Sequence, residues 1–313
     1  MSGQQSLAVS VSGLTKVYKN GVYGVDGLTF DIPRGQIVGL LGPNGSGKTT
    51  TINLLTASFP PTSGSGYVLG YDIRKQSTMI RKSVSLVPQY ESIDWSLTVF
   101  QNLKVFSDLL NITNASSLIG ELLENLELSE YRNTQMEELS GGQIRRVQLA
   151  RAMLFDSEPI FVDEPTIGLD PVGVSRVLNY LKQQTRSGKT VVLATNIMSE
   201  MEQVCDRILF LNHGKILYDG TPSDIIKKCD LKERVTIELR GEPSGLIEAA
   251  VTAGLEVESR TPLTIAGNRA GSLILPILAN SNQYNISIVG ITIHTPSLED
   301  AFIHIANKGG LIK

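Results

Sequence analysis

The chain has 313 residues, 41% of them hydrophobic and 19% charged, with a formal net charge of −3. That is enough for two globular domains and carries no basic field to suggest nucleic acid as a partner. No apolar run approaches a membrane span, Met1–Gln5 lacks a signal-like segment, and Cys205 and Cys229 lack metal-ligand spacing, so a reducing intracellular protein is expected, with any membrane spanning done by another chain.

Residues 7–87 read mainly as strands around one glycine-rich loop. Gln36–Leu41 reads as a buried strand entering the loop, and Thr50–Leu55 reads as the start of a helix. Between them lies Gly42-Pro43-Asn44-Gly45-Ser46-Gly47-Lys48-Thr49-Thr50, which matches the pattern G-x-x-x-x-G-K-[ST]. Glycines let the backbone N–H groups close around phosphates, the following helix adds its positive end, and Lys48 supplies a full charge to the β and γ phosphates. Thr49 offers its hydroxyl to magnesium. Pro60–Gly66 is a turn-rich connection.

From about 90 to 158 the pattern becomes mostly helical, as at Leu118–Leu126. Within it, Leu139-Ser140-Gly141-Gly142-Gln143 precedes Gln143–Ala152, predicted as an amphipathic helix. The Ser140 hydroxyl and the first N–H groups of that helix make an anion site, and Gly-Gly behind a serine cap is poor helix design without a ligand. Pro159–Asp163 is a short apolar strand ending in two carboxylates, Asp163 and Glu164. Adjacent strand residues point to opposite faces, so the two can divide the work: Asp163 toward magnesium, Glu164 toward the attacking water. Further strands at Thr190–Thr195, Arg207–Asn212 and Lys215–Tyr218, alternating with helices, predict an α/β core. Beyond about residue 230 the order strand-helix-strand-strand-helix-strand predicts a small ferredoxin-like α+β module with no chemical constellation of its own.

The LSGGQ text at Leu139–Gln143, in order with the loop and the paired carboxylates, resembles the ATP-binding cassette (ABC) family over about residues 7–225. The resemblance implies a P-loop cassette over 1–230, with its helical subdomain at about 90–158 and an accessory domain over 231–313. It implies ATP and Mg2+ as ligands, Gln89 as the Q-loop glutamine near metal and water, and Asp170, in Gly168-Leu169-Asp170, as the D-loop. Tyr18 sits where the family stacks a ring on adenine, although Tyr23 is a close alternative. Ser140, Gly141, Gly142 and Gln143 would grip the γ-phosphate of ATP held by a second cassette, with a homodimer expected in preference to a heterodimer. The stretch Tyr90–Leu103 and the closing Pro296–Phe302 look like the daunorubicin-resistance and nodulation-type (ABC-2) export ATPases. That likeness implies a separate integral-membrane permease, a position on the cytoplasmic face of the membrane, and Trp95 as either a docking anchor or a stabiliser of the helical subdomain.

One position departs from the family. Where a histidine usually follows the strand Thr190–Thr195, this chain has Asn196, and its three histidines are His213, His294 and His304. An amide can donate to a γ-phosphate oxygen but cannot carry a proton near neutral pH. Asn196 is therefore expected to support ATP binding and closure while slowing hydrolysis. Two rival functions follow from the same residues: a soluble cassette acting on ribosomes or DNA, and an ATP-gated scaffold with little turnover.

Overall fold

The computed structural model describes residues 6–88, 93–279, 281–284 and 286–308. They divide into two units, Met1–Pro222 and Ser223–Lys313. In the first, β1 (Leu7–Val17) and β2 (Tyr23–Pro33) form a hairpin, and β3 (Ile37–Leu41) runs into the glycine-rich loop ahead of α1 (Lys48–Leu55). Next come β4 (Ser63–Val68), β5 (Tyr71–Asp72), α2 (Ser77–Ser83) and β6 (Ser85–Val87). The helices α3 (Val99–Leu109), α4 (Ala115–Asn125) and α5 (Gly141–Met153) follow. Alternation resumes with β7 (Ile160–Asp163), α6 (Pro171–Arg186), β8 (Val191–Thr195), α7 (Met198–Val204), β9 (Arg207–Asn212) and β10 (Lys215–Gly220).

Two sheets result, one antiparallel in the order β2-β1-β4-β5, the other in the order β10-β9-β3-β8-β7-β6. The second is parallel from β9 to β6, with β10 antiparallel at its edge. Every residue of β3, β7 and β8 is buried, which is why these strands read as unbroken apolar runs rather than alternating ones. A single core joins the sheets: Val9 and Ile32 from one, Val38, Phe161 and Val192 from the other, and Ile52, Leu54 and Leu55 of α1.

Register decides where the chemistry lies. Leu41 stands opposite Thr195, and Asp163 opposite Ala194. The three strands therefore end level, and the segments that begin at Gly42, Glu164 and Asn196 leave the sheet along one edge. Carboxyl ends of parallel strands are where open α/β sheets take ligands.

The helix α5 differs from its expected form. It is not amphipathic with one wet face; it starts at Gly141 and buries Arg145 and Gln148 together with Ile144, Val147, Leu149, Ala150 and Met153. Packing on several sides, with the Arg145 guanidinium hydrogen-bonded inside, overrides the helical-wheel pattern.

In the second unit, following α8 (Pro222–Lys228), the chain forms β11 (Glu233–Arg240), α9 (Ser244–Thr252), β12 (Glu256–Arg260), β13 (Leu263–Gly267), α10 (Ala270–Ala279), β14 (Ser287–His294) and α11 (Leu298–Lys308). The strand order is β12-β13-β11-β14 with every pairing antiparallel, the ferredoxin-like arrangement. Leu246 and Ala250 of α9 and Ile274 and Leu278 of α10 pack on Val235, Ile237 and Ile265 of the sheet. The fold is thus an α/β cassette with a small α+β unit after it.

Phe161 is fully buried in β7, two residues before the carboxylates. Phe161→Ala is expected to cost about 3–5 kcal/mol by deleting that ring and leaving a cavity. Urea unfolding of the first unit should show it, and an unshifted midpoint would mean that β7 is not part of the cooperative core.

Candidate nucleotide site

Steric demand explains two glycines of the loop. A Cβ on Gly42 would stand 2.2 Å from the Leu211 carbonyl oxygen, and one on Gly47 2.5 Å from the Gly24 carbonyl oxygen. Both obstacles are backbone and cannot swing away. Gly47 also occupies the N-cap of α1 with φ of 108° and provides no side-chain cap. The first N–H groups of that helix are thus left without a side-chain acceptor from the cap, a setting suited to an anion.

Lys48 lies back across this loop. Its Nζ donates to the Gly42 carbonyl at 2.8 Å and the Pro43 carbonyl at 3.3 Å, and stands 3.6 Å from Glu164 Oε1. Both charged side chains are buried. They share a cavity of about 330 Å3 with Tyr18, Tyr23, Gly24, Asn44, Gly45, Gly47, Thr49 and Thr50.

The two carboxylates emerge from β7 with different surroundings. Burial pushes the Asp163 carboxyl up, opposed by the Thr49 hydroxyl and the charge of Lys48. Burial also raises Glu164, opposed chiefly by Lys48 and reinforced by Asp163. Asp163 Oδ1, Glu164 Oε2 and Ser46 Oγ are buried without a hydrogen-bond partner. Such atoms carry an unmet desolvation cost that an incoming cation, water or phosphate would relieve. Among the described residues no three His, Cys, Asp or Glu side chains converge as a metal cage. Hydroxyl, carboxylate and phosphate oxygens with retained water are instead the donor set that suits magnesium, and Thr49 with Asp163 fits that set. Glu164 has φ of 50°, unusual for a residue with a side chain, while its N–H donates to the Ala194 carbonyl at 2.8 Å.

The remaining predicted residues lie as follows. Tyr18 and Tyr23 both line the cavity; Tyr18 meets the Thr50 hydroxyl at 3.0 Å and packs edge-on against Phe59. Asn196 is exposed just past β8, with its backbone amide among the groups that favour the charged form of Glu164. Ser140 and Gln143 form a reciprocal cap on α5: Gln143 N–H donates to Ser140 Oγ at 3.3 Å, and Ser140 N–H to Gln143 Oε1 at 2.8 Å. None of Ser140, Gly141, Gly142 and Gln143 lines the cavity. Gly141 is exposed, and a Cβ added there would meet nothing within 4 Å, so packing within the chain does not require a glycine at that position. Asp170 caps α6, accepting from the Gly173 N–H at 2.8 Å, ahead of Pro171. Gln89 lies outside the described residues.

Sequence reasoning missed two buried charges. Arg145 donates to the carbonyls of Pro88, Asp163, Glu164 and Pro165, and its only warning is a pair of arginines one turn into a predicted helix. Glu200, on α7, is 2% exposed. Burial raises its carboxyl, opposed by the neighbouring Thr166 and Thr195 hydroxyls.

A loop that demands glycine, a buried lysine and two carboxylates at level strand ends make a nucleoside triphosphate site of the cassette type. The family model for "ABC transporter" matches residues 25–167. Nod factor export ATP-binding protein I of Rhizobium sp. (strain N33) is 32% identical over 96% of this chain and 98% of its own length. The chain belongs to the ABC transporter family. The cassette is also 30% identical to daunorubicin/doxorubicin resistance ATP-binding protein DrrA of Streptomyces peucetius, over 97% of this chain and 93% of that protein. Among solved structures it is similar to a dimeric ATP-binding cassette in a post-hydrolysis state with ADP and phosphate. That likeness has 28% identity and a TM-score of 0.63, over 68% of this chain and 98% of the other.

The buried acids of the cassette give its stability a pH dependence. With folded values raised above the unfolded ones, Asp163, Glu164 and Glu200 bind more protons folded than unfolded between those values, so stability falls as pH rises through that window. Glu200→Gln is expected to raise the stability of the nucleotide-free chain above the window and to flatten the decline. Denaturant unfolding at about pH 5 and about pH 8 measures both slopes; parallel slopes would mean that Glu200 does not titrate in the folded chain.

Proposed function

We propose that this chain is the ATP-hydrolysing subunit of an exporter, one of two cassettes that close around two ATP molecules and drive a separate membrane-spanning permease. The observation that carries the reading is the buried Lys48 amine, 3.6 Å from Glu164 and bonded to loop carbonyls that an anion would outcompete. Arriving β and γ phosphates draw Nζ from Gly42 and Pro43 into charge-assisted hydrogen bonds. That movement leaves Glu164 without its cation and with an unpartnered oxygen, ready to orient the attacking water and accept its proton. Magnesium, when bound, neutralises phosphate charge, and Thr49, Asp163 and Gln89 are the side chains that would hold it. Tyr18, or Tyr23 beside it, supplies a ring for the adenine.

Pairing is supported by geometry. The chain has one P-loop and one signature, and the signature residues lie outside the cavity that their own chain forms. Ser140 and the first N–H groups of α5 would therefore serve a partner's γ-phosphate, and identical chains suffice to complete both sites. The two similar proteins named for drug resistance and Nod factor export support an export role on the cytoplasmic face of the membrane. No helix among the described residues is long and apolar enough to cross a membrane. Trp95, exposed by 45%, with Val105 and Leu109 of α3 also exposed, supports a docking surface for it. Affinity purification from gently solubilised membranes should recover a multi-span protein with two copies of this chain. Ribosomal or DNA-bound partners without a membrane protein would overturn the export reading.

Asn196 supports slow turnover, since it offers the γ-phosphate a donor but no proton acceptor or charge. Asn196→His is expected to raise steady-state ATP hydrolysis by up to about a hundredfold, equivalent to about 3 kcal/mol of transition-state stabilisation. Equal rates in the two chains would remove Asn196 from the account of the mechanism.

A further inference from the structure

Arg145 is 7% exposed and bonds to three separate stretches of chain. One Nη donates to the Pro88 carbonyl at 2.6 Å and to Gln148 Oε1 at 2.6 Å. The other donates to the carbonyls of Asp163 and Glu164, the latter at 3.1 Å, and Nε reaches the Pro165 carbonyl at 3.4 Å. These carbonyls stand where β6 and β7 end: Pro88 is one residue before Gln89 in the sequence, and the others belong to Glu164 and its two neighbours. Strand ends lose their ladder partners, and buried carbonyls left without donors are costly. A planar guanidinium can satisfy several at once in fixed directions, which a lysine amine cannot.

The same contacts bear on the unusual conformation of Glu164. A non-glycine residue at φ of 50° persists when its surroundings over-determine it. Here the N–H of Glu164 is held by the Ala194 carbonyl at 2.8 Å, and its C=O is held by Arg145. The far side of the link is α5, whose N-cap, Ser140, lies only five positions before Arg145 in the sequence. An α-helix transmits displacement along its axis as a rigid element.

We propose that Arg145 is a positioning residue that couples the signature end of α5 to the backbone of Glu164, so that phosphate gripped at Ser140 sets the geometry of the hydrolytic carboxylate in the same subunit. The two ATP sites of a closed pair then communicate through each chain's own Arg145. This rests on the two-cassette reading above. Arg145 touches neither water nor phosphate in this role; it acts through the carbonyls it holds.

Arg145→Lys keeps the charge and loses the fork. The test compares it with the parent chain in ATP binding, thermal stability, ATP-driven dimerisation in a Glu164→Gln background, and turnover as a function of ATP. Expected are ATP affinity within about twofold of the parent and retained dimerisation, with kcat lowered on the order of tenfold to a hundredfold and loss of cooperativity between the sites. Turnover and cooperativity equal to the parent's would overturn the coupling, and so would a loss of kcat in a stably folded variant that merely tracks a loss of ATP binding. Gln148→Met is the gentler variant should the lysine chain fold poorly: it removes the amide whose oxygen braces the guanidinium and whose nitrogen has no hydrogen-bond partner. It should lower kcat at unchanged ATP affinity, and full cooperative turnover in it would count against the proposal. A Glu164→Gln chain that stays monomeric with ATP, Arg145 intact, would overturn the two-cassette reading itself and the coupling with it.

Discussion

The parallel register that sets Leu41 beside Thr195 and Asp163 beside Ala194 brings three segments to one edge of a buried sheet. Every later feature of the site depends on it. A shift of one residue in β7 would exchange the faces of Asp163 and Glu164 and move the latter away from Lys48. The constraint is strong because β3, β7 and β8 are covered on both sides and have no wet face on which to slip. Close approach then refines what register begins, since Gly42 and Gly47 fit only without a Cβ.

Electrostatics at this edge are deliberately incomplete. Asp163 and Glu164 are buried, both have raised carboxyl pKa values, and each keeps an oxygen without a hydrogen-bond partner. A structure selected only for stability would neutralise such groups or expose them. Retaining them makes sense where a ligand brings the missing partners: phosphate for the lysine, cation and water for the acids. Tension of the same kind is present in the backbone, where Glu164 holds a conformation that its flanking hydrogen bonds maintain. Binding and hydrolysis thereby act on a site that is held ready but not relaxed.

The helix α5 joins this edge to the surface that a partner would use. Its first residue, Gly141, is exposed behind the Ser140 cap, and Arg145, Val147 and Gln148 in the next turn are buried. One rigid element thus spans from the Ser140 cap to the side chain that holds the Glu164 carbonyl. Asp170 makes a related economy, since the residue placed at the D-loop is also the N-cap that starts α6.

Much of this was legible in the amino-acid order. Fully buried strands announce themselves as apolar runs, a phosphate loop by its spaced glycines and lysine, and the second unit by its order of strands and helices, because those features are set by local sterics and by which faces must leave water. The character of α5 was not legible: a helical wheel assigns Arg145 and Gln148 to solvent, and only the packing of β6, β7 and α5 around one guanidinium turns them inward. Nor could sequence show that Tyr18 and Tyr23 both reach the cavity, or that Glu200 is buried near Glu164. The sequence by itself determined the elements and the chemical groups; the tertiary structure alone decided which charges are buried and what holds them, because burial and hydrogen bonding between distant segments arise only when those segments meet.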